Sequence, residues 1–375
     1  MQLTNLIEMS NRYGGNADYV LAGGGNTSYK DGQTMVVKAS GAALSDITAE
    51  GFVKMNRAAL NRMFERDYPA DPQAREAEVL RDMLAACCET GNSEASVPRR
   101  RRPSVEALLH HIMPCAYVLH VHPAAVNGMT CGKNGAQVCA KLFPGAVWME
   151  QMMPGYVLAK EARARISSST RLLFLENHGV FIGGENTEEI DNIVMQMNAV
   201  LDAAMTRRPD VSPCEYNRAL AEGFSFAVRE IAAGGGACVF RSNREVVNIT
   251  ASGAIFACIS PAFTPDHMVY CNDEALFIES GEIKSARTEL AEKTADYRAR
   301  NGKPPKIIGL KDTGFYACGG SEKEAGIAAA VFLDAVKVYV CGESFGGARP
   351  MCEALVREIN QWEVEHYRKS VSFKQ

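Results

Sequence analysis

Apolar and polar positions follow two rhythms along this chain. Short apolar runs closed by turn residues, TMVVKAS (34–40), AYVLHVH (116–122), RLLFLEN (171–177) and GVFIGG (179–184), predict strands. Residues 48–64 and 74–88 carry a helical period with polar faces. The segment from Asn186 to Met205 adds Glu188 and Glu189 in its first turn, where carboxylates favour a helix start. The second half reads as strand-like at ACVFRS (237–242), VVNITAS (246–252), MVYCN (268–272), EALFIE (274–279), IIGLK (307–311) and VKVYVCG (336–342). TRRPDVSPCE (206–215), with two prolines, is the best linker. Helices and strands are interspersed without the regular alternation of a doubly wound sheet. The expected class is therefore α/β or α+β, with layers of helices on a mixed or antiparallel sheet.

The pattern also repeats. AGGGNTSYKDGQTMVVKASGA (22–42) and AGGGACVFRSNREVVNITASGA (233–254) share a triple glycine, a β-branched stretch and a closing ASGA. LENHGVFIGGENTEE (175–189) matches LKDTGFYACGGSEKE (310–324): at a constant offset of 135, Gly179, Gly184 and Glu189 fall on Gly314, Gly319 and Glu324. A weaker pairing sets PCAYVLHVHPAA at 114 against PDHMVYCNDEAL at 265, putting His120 opposite Cys271 and His122 opposite Asp273. His178 stands opposite Thr313. Gly41 and His120 are 79 positions apart but Gly253 and Cys271 only 18, so the second copy lacks a helical region. The expected organisation is a metal-binding domain over 1–208 and a degenerate copy over 215–375 that has lost the histidines.

Composition narrows the function. Among 375 residues, 40 basic and 44 acidic side chains give a net charge of −4, with no basic field to hold nucleic acid. No apolar run reaches the roughly 18 residues of a membrane span, and the N-terminus has no apolar leader core. A cytoplasmic protein with no membrane partner is expected. The twelve cysteines form no CxxC pair and sit mostly in apolar runs, as reduced thiols do, which excludes a zinc ribbon.

His120 and His122 form an HxH pair in a strand, and alternation puts both imidazoles on one face. His178 ends an apolar run, where a strand end presents a side chain to a cleft. Three neutral imidazoles suit Zn²⁺ or another divalent ion and leave room for substrate. Glu106 opens the helical EALLHHIMP and could be a fourth ligand, a general base, or both. His110 and His111 on the same helix read as structural. GGGNTS lacks the spacing of a dinucleotide-binding turn and the Lys of a P-loop, yet its N–H groups and hydroxyls suit a phosphate. Ser40, Gly41 and Ser104 could add donors. The run Arg99 to Arg102 is best read as an exposed loop, with a phosphate-drawing role as the alternative.

Taken in order, GGGNTS, KASG, PSVE, HVHP and NHGV resemble the class II aldolase/adducin family. Within it, the likeness is to the aldolase part of bacterial rhamnulose-1-phosphate aldolase/dehydrogenase fusions. It covers residues 10 to 208 firmly and extends loosely to the ending INQWEVEHYRKS. The resemblance implies that His120, His122 and His178 bind the metal and that Glu106 is both ligand and catalytic base. It makes Gly25, Asn26, Ser28, Ser40, Gly41 and Ser104 a phosphate pocket. The implied reaction breaks the C3–C4 bond of a phosphorylated ketose through a zinc-stabilised enediolate, giving dihydroxyacetone phosphate and a small aldehyde such as lactaldehyde.

Two positions depart from the family pattern. Gln151 stands near the tyrosine expected before Pro154-Gly155, with Tyr156 displaced beyond them, and Val105 replaces a second serine before the glutamate. The alternatives are a sugar-phosphate 4-epimerase or a decarboxylase of a phosphorylated sugar acid on the same site, and a non-catalytic adducin-like interaction module. Active sites of the family lie between subunits of a ring-shaped tetramer. The resemblance therefore implies a homo-oligomer, either a tetramer or a dimer of two-copy chains with two working sites.

Overall fold

The computed structural model describes residues 1–88 and 101–360. The chain divides into two compact units. Among the described residues, one comprises Met1–Pro123 and Ala136–Leu201; the other takes in Ala124–Gly135 together with residues 202–360.

The first unit is built on seven strands: β1 (Asn26–Lys30), β2 (Thr34–Lys38), β3 (Phe52–Asn56), β4 (Tyr117–Val121), β5 (Val147–Met149), β6 (Leu172–Leu175) and β7 (Gly179–Gly184). They lie in the order β3-β2-β1-β4-β7-β6-β5, with every pairing antiparallel except β5 with β6. Burial follows the letters. β4 and β7 are apolar apart from His120 and buried along their whole length, as central strands must be. β3 at the edge alternates, burying Val53 and Met55 and exposing Lys54 and Asn56. Part of the expected 48–64 helix is this strand, because FVKMN offers a clean period of two that pairs with β2. The helix is confined to Arg57–Met63, where the Asn56 side chain caps the Ala59 amide.

The second unit holds β8 (Ala237–Arg241), β9 (Leu276–Ile278), β10 (Ile307–Leu310) and β11 (Gly314–Gly319), ordered β8-β11-β10-β9. Order, direction and register copy β4-β7-β6-β5. Leu175 pairs with Gly179 as Leu310 pairs with Gly314, and β5 is parallel to β6 as β9 is to β10. Asn177 and Asp312 both take the left-handed conformation, at φ of 56° and 50°. Backbone bonds repeat too: His178 N–H to Leu175 carbonyl, 3.2 Å, and Thr313 N–H to Leu310 carbonyl, 3.1 Å. No counterpart of β1, β2 and β3 is present among the described residues of this unit.

This register corrects two sequence pairings. Gly184 faces Tyr117 and Gly319 faces Ala237, so the counterpart of His120 is Phe240, not Cys271, and that of His122 is Ser242, not Asp273. The ASGA motifs are not equivalent: Ser40 follows β2, whereas Ser252 caps a helix, its Oγ accepting from Ile255 N. VVNITAS is helical through Ile249 and MVYCN through Cys271, not extended. Asn243 and Thr264 cap helices Arg244–Ile249 and Pro265–Cys271, and Pro265 stands in the first turn, where its missing N–H costs nothing. VKVYVCG lies inside the helix Glu322–Glu343, capped by Ser321. That helix is also long and apolar enough to cross a membrane, contrary to the sequence reading. It is mostly buried, however, and packs on the helix Ala124–Thr130 and on β8 and β11 as a core helix does.

Candidate metal centre

Strand register assembles the site. Asn26 of β1 pairs with His120 of β4, which pairs in turn with Phe181 of β7. The His120 ring stacks on Phe181 at 4.0 Å between centroids and is wholly buried. His122 follows β4 directly, its amide held by the Tyr19 carbonyl at 3.0 Å. His178 stands in the tight turn before β7. Glu106 caps the start of the helix Ala107–Ile112, and its amide is bound to Ser104 Oγ at 3.3 Å.

The three imidazoles present one nitrogen each within 4.8 Å of one another. His120 Nδ1 lies 3.0 Å from the Val180 carbonyl, which only accepts, so in the neutral ring Nδ1 carries the hydrogen and Nε2 the lone pair. That Nε2 is 2.9 Å from His122 Nε2 and 3.3 Å from Glu106 Oε1; His178 Nε2 is 3.5 Å from the same oxygen. Glu106 Oε1 is buried and accepts no hydrogen bond. Lone pairs converging on one buried point are unfavourable unless positive charge sits among them. Three nitrogens and an orphaned carboxylate oxygen are the donor set of a divalent cation, and they fit it here.

Glu106 is itself held. Its Oε2 accepts from Asn26 Nδ2 at 2.7 Å. The Asn26 Oδ1 accepts from His110 Nε2, and the Ser28 hydroxyl donates to His110 Nδ1 at 2.8 Å. Burial, and then the neighbouring His120, push His110 well below the ordinary imidazole pKa, which keeps the ring neutral as this chain of bonds requires. Sequence reading missed the relay, although Glu106 and His110 are four apart on one helix and so share a face.

The expected phosphate residues divide. Ser28 is fully buried with its hydroxyl on His110, and the oxygen and one N–H of the Asn26 amide are engaged in the chain of bonds that holds Glu106. Gly25 has φ +62°, and a Cβ there would lie 3.0 Å from the His120 carbonyl and 2.9 Å from Val20. Gly41 has φ +85°. Ser40 and Ser104 flank the bridge between Ala39 and Pro103, which joins KASG to PSVE. The buried Lys38 reaches the Gly23 carbonyl at 3.5 Å, a cation at the glycine turn that sequence reading did not single out.

Gln151 Nε2 donates to Asn177 Oδ1 at 2.5 Å, in the turn that carries His178. Tyr156 is buried against Phe64 and Tyr68 in the core. Val105 lines a small cavity with Ser40, Arg102 and Tyr156. Arg99 and Arg100 lie outside the described residues, as does the ending from residue 361; Arg101 donates to the Glu50 carbonyl.

The sequence profile of the class II aldolase and adducin N-terminal domain matches residues 4–204. The uncharacterized oxidoreductase YuxG of Bacillus subtilis (strain 168) is 29% identical over 195 residues, which are 49% of this chain and 26% of that protein. The chain thus matches about a quarter of that relative's length. Among solved structures, the N-terminal class II aldolase domain of a conserved protein from Thermoplasma acidophilum is 23% identical. That likeness covers 54% of this chain and 93% of that domain, with a TM-score of 0.47. L-fuculose-1-phosphate aldolase from Thermus thermophilus is 13% identical over 53% of this chain and 90% of its own, with a TM-score of 0.34. The matched span takes in every motif whose side chains converge on His120, and this chain belongs to the class II aldolase and adducin family.

Proposed function

We propose that this protein is a zinc-dependent aldolase that cleaves a phosphorylated ketose of the rhamnulose-1-phosphate kind to dihydroxyacetone phosphate and a small aldehyde. The observation that carries the reading is the orphaned, buried Oε1 of Glu106, aimed at three convergent imidazoles. His120, His122 and His178 would hold the ion, with Glu106 beside them. A divalent ion bound there supplies Lewis-acid polarisation of the ketose carbonyl.

The protein's own groups do the rest. Glu106 accepts the C4 hydroxyl proton as the C3–C4 bond breaks and delivers a proton to C3 to complete dihydroxyacetone phosphate; its Oε1 is the oxygen available for it, because Oε2 is occupied by Asn26. Asn26 and His110 fix the carboxylate's orientation, so little reorganisation precedes proton transfer. The glycine turn with Lys38, and the Ser40–Ser104 pair, supply N–H groups, hydroxyls and one cation suited to the substrate phosphate. The working assembly we propose is a homo-oligomer in the cytoplasm, with one metal site per chain.

A second reading rests on Gln151. Its side chain is bonded to Asn177, where the resemblance implies a proton-donating tyrosine. An amide cannot donate a proton to the aldehyde oxygen in the carbon–carbon-forming direction, as that tyrosine would, which favours a 4-epimerase or a decarboxylase on the same metal.

The deciding experiment incubates metal-replete protein with ketose 1-phosphates and follows dihydroxyacetone phosphate release. Release that Glu106→Gln abolishes supports the aldolase. Stoichiometric metal with no release from any ketose phosphate moves the reading to the sister reactions, and absence of metal moves it to a binding module.

A further inference from the structure

Two cysteines of the second unit face each other across its sheet. Cys238 of β8 is the register partner of Cys318 of β11. The Cys318 amide donates to the Lys306 carbonyl, on the β10 side, at 2.7 Å. In an antiparallel strand the N–H and C=O of one residue point the same way, so at this position neither reaches β8. Cys238 and Cys318 are therefore a non-hydrogen-bonded pair, the closer of the two cross-strand arrangements, with Cα atoms about 4.5 Å apart. That separation lies within the roughly 4.4–6.8 Å that a disulfide spans.

The two thiols share one face but differ in exposure. Directly opposite residues project to one face, and both thiols enter the apolar layer that includes Phe224 and Tyr316. Cys238 Sγ donates to the Ser225 carbonyl of the helix Arg218–Ala227 at 3.7 Å. Cys318 is buried and Cys238 half-buried, so solvent reaches the second thiol first. At the equivalent positions of the first unit stand Val118 and Gly183, so the facing thiols belong to the second unit alone.

We propose that Cys238 and Cys318 are a reversible disulfide site, closed by exchange with a small-molecule disulfide. The Cys238 thiolate attacks one sulfur of the small disulfide, forming a mixed disulfide and expelling the first small thiolate. The Cys318 thiolate then attacks the Cys238 sulfur, and the second small thiolate leaves. The two protons given up by the protein end on the two released thiols: one dithiol and one disulfide become one disulfide and two thiols. Burial pushes both thiols up, Cys318 to about 12, so closure is slow at neutral pH and quickens as pH rises. The product ties the edge strand β8 to β11.

The test equilibrates the full chain with glutathione buffers of increasing oxidised fraction, alkylates free thiols and digests with trypsin. EIAAGGGACVFR and DTGFYACGGSEK each carry one of the two cysteines. A linked pair of these peptides, released by dithiothreitol and absent in Cys238→Ser, is the expected result, with a reductant-reversible rise in Tm. Cys238 held only as a glutathione adduct, linked elsewhere, or alkylated at every buffer ratio overturns the proposal. The wild-type peptide map decides even where a variant folds poorly.

Discussion

At the scale of single residues, the candidate site separates groups that hold metal from groups that hold Glu106. His120→Ala or His178→Ala removes an imidazole from the convergent set, and metal content by mass spectrometry is expected to fall with activity. Glu106→Gln keeps an oxygen but loses the base. Turnover should fall roughly 10²- to 10⁴-fold with much of the metal retained, and near-normal turnover would remove Glu106 from the mechanism. His110→Phe preserves an aromatic ring beside Phe181 and deletes both hydrogen bonds of the relay. A loss of about 1–3 kcal/mol in transition-state stabilisation, roughly 5- to 150-fold in kcat, is expected at unchanged metal content. Gly179→Ala is a third kind of change. Its Cβ would sit 2.5 Å from His122 Cδ2 and 2.7 Å from the Val121 carbonyl, so metal affinity should fall although no ligand is altered. The histidines and Glu106 could be picked out from HxH, NHGV and PSVE. The bonds of Asn26 to Glu106 and His110 were not legible, because nothing local says which way a strand residue beside a glycine turn will face.

At the scale of elements, the helix Ala107–Ile112 couples the site to the core through adjacent histidines. His111 Nε2 donates to Asn61 Oδ1 at 2.8 Å, and its Nδ1 accepts from Arg57 at 3.4 Å. Burial, then Arg57, lower its pKa to about 3, so it is neutral in the fold and protonates first in the unfolded chain. The sign follows from linkage. Below the unfolded value of about 6.5 the unfolded state binds more protons, so stability is full above that pH and falls as pH drops toward 3. The slope approaches about 1.4 kcal/mol per pH unit for this one group. Tm measured from pH 7.5 to 4.5 should therefore fall, and His111→Gln should flatten the acid side; an unchanged slope would locate the acid sensitivity elsewhere. Sequence misjudged other elements for a reason of the same kind. VVNITAS, MVYCN and VKVYVCG are rich in β-branched and aromatic residues, yet each lies in a helix, two of them begun by an Asn or Thr cap. Propensity is a weak preference that capping and tertiary packing override.

At the scale of the whole chain, the division into units does not follow the order of the sequence. The helix Ala124–Thr130, just after HVHP, belongs to the second unit and buries Val126, Met129 and Thr130 completely. A chain truncated at residue 215 would strip the helix Glu322–Glu343 from it and expose that face, so an insoluble fragment is expected by sedimentation and light scattering. A soluble, active fragment would make the second unit dispensable. For the intact chain, a dimer by sedimentation equilibrium agrees with the proposed assembly, and a fully active monomer would exclude it.

Sequence by itself determined the chemistry: the convergent residue types, the order of the motifs, the glycine turns, and a second copy in which the candidate metal-ligand histidines are replaced. These are local or ordered along the chain, so periodicity and spacing carry them. Tertiary structure alone decided three things: that Asn26 and His110 clamp Glu106, that Phe240 and Ser242 are the counterparts of His120 and His122, and that residues 124–135 join the second unit. Each depends on which strands pair and in what register. Register is fixed by the summed burial of whole faces, a quantity that no single stretch of sequence contains.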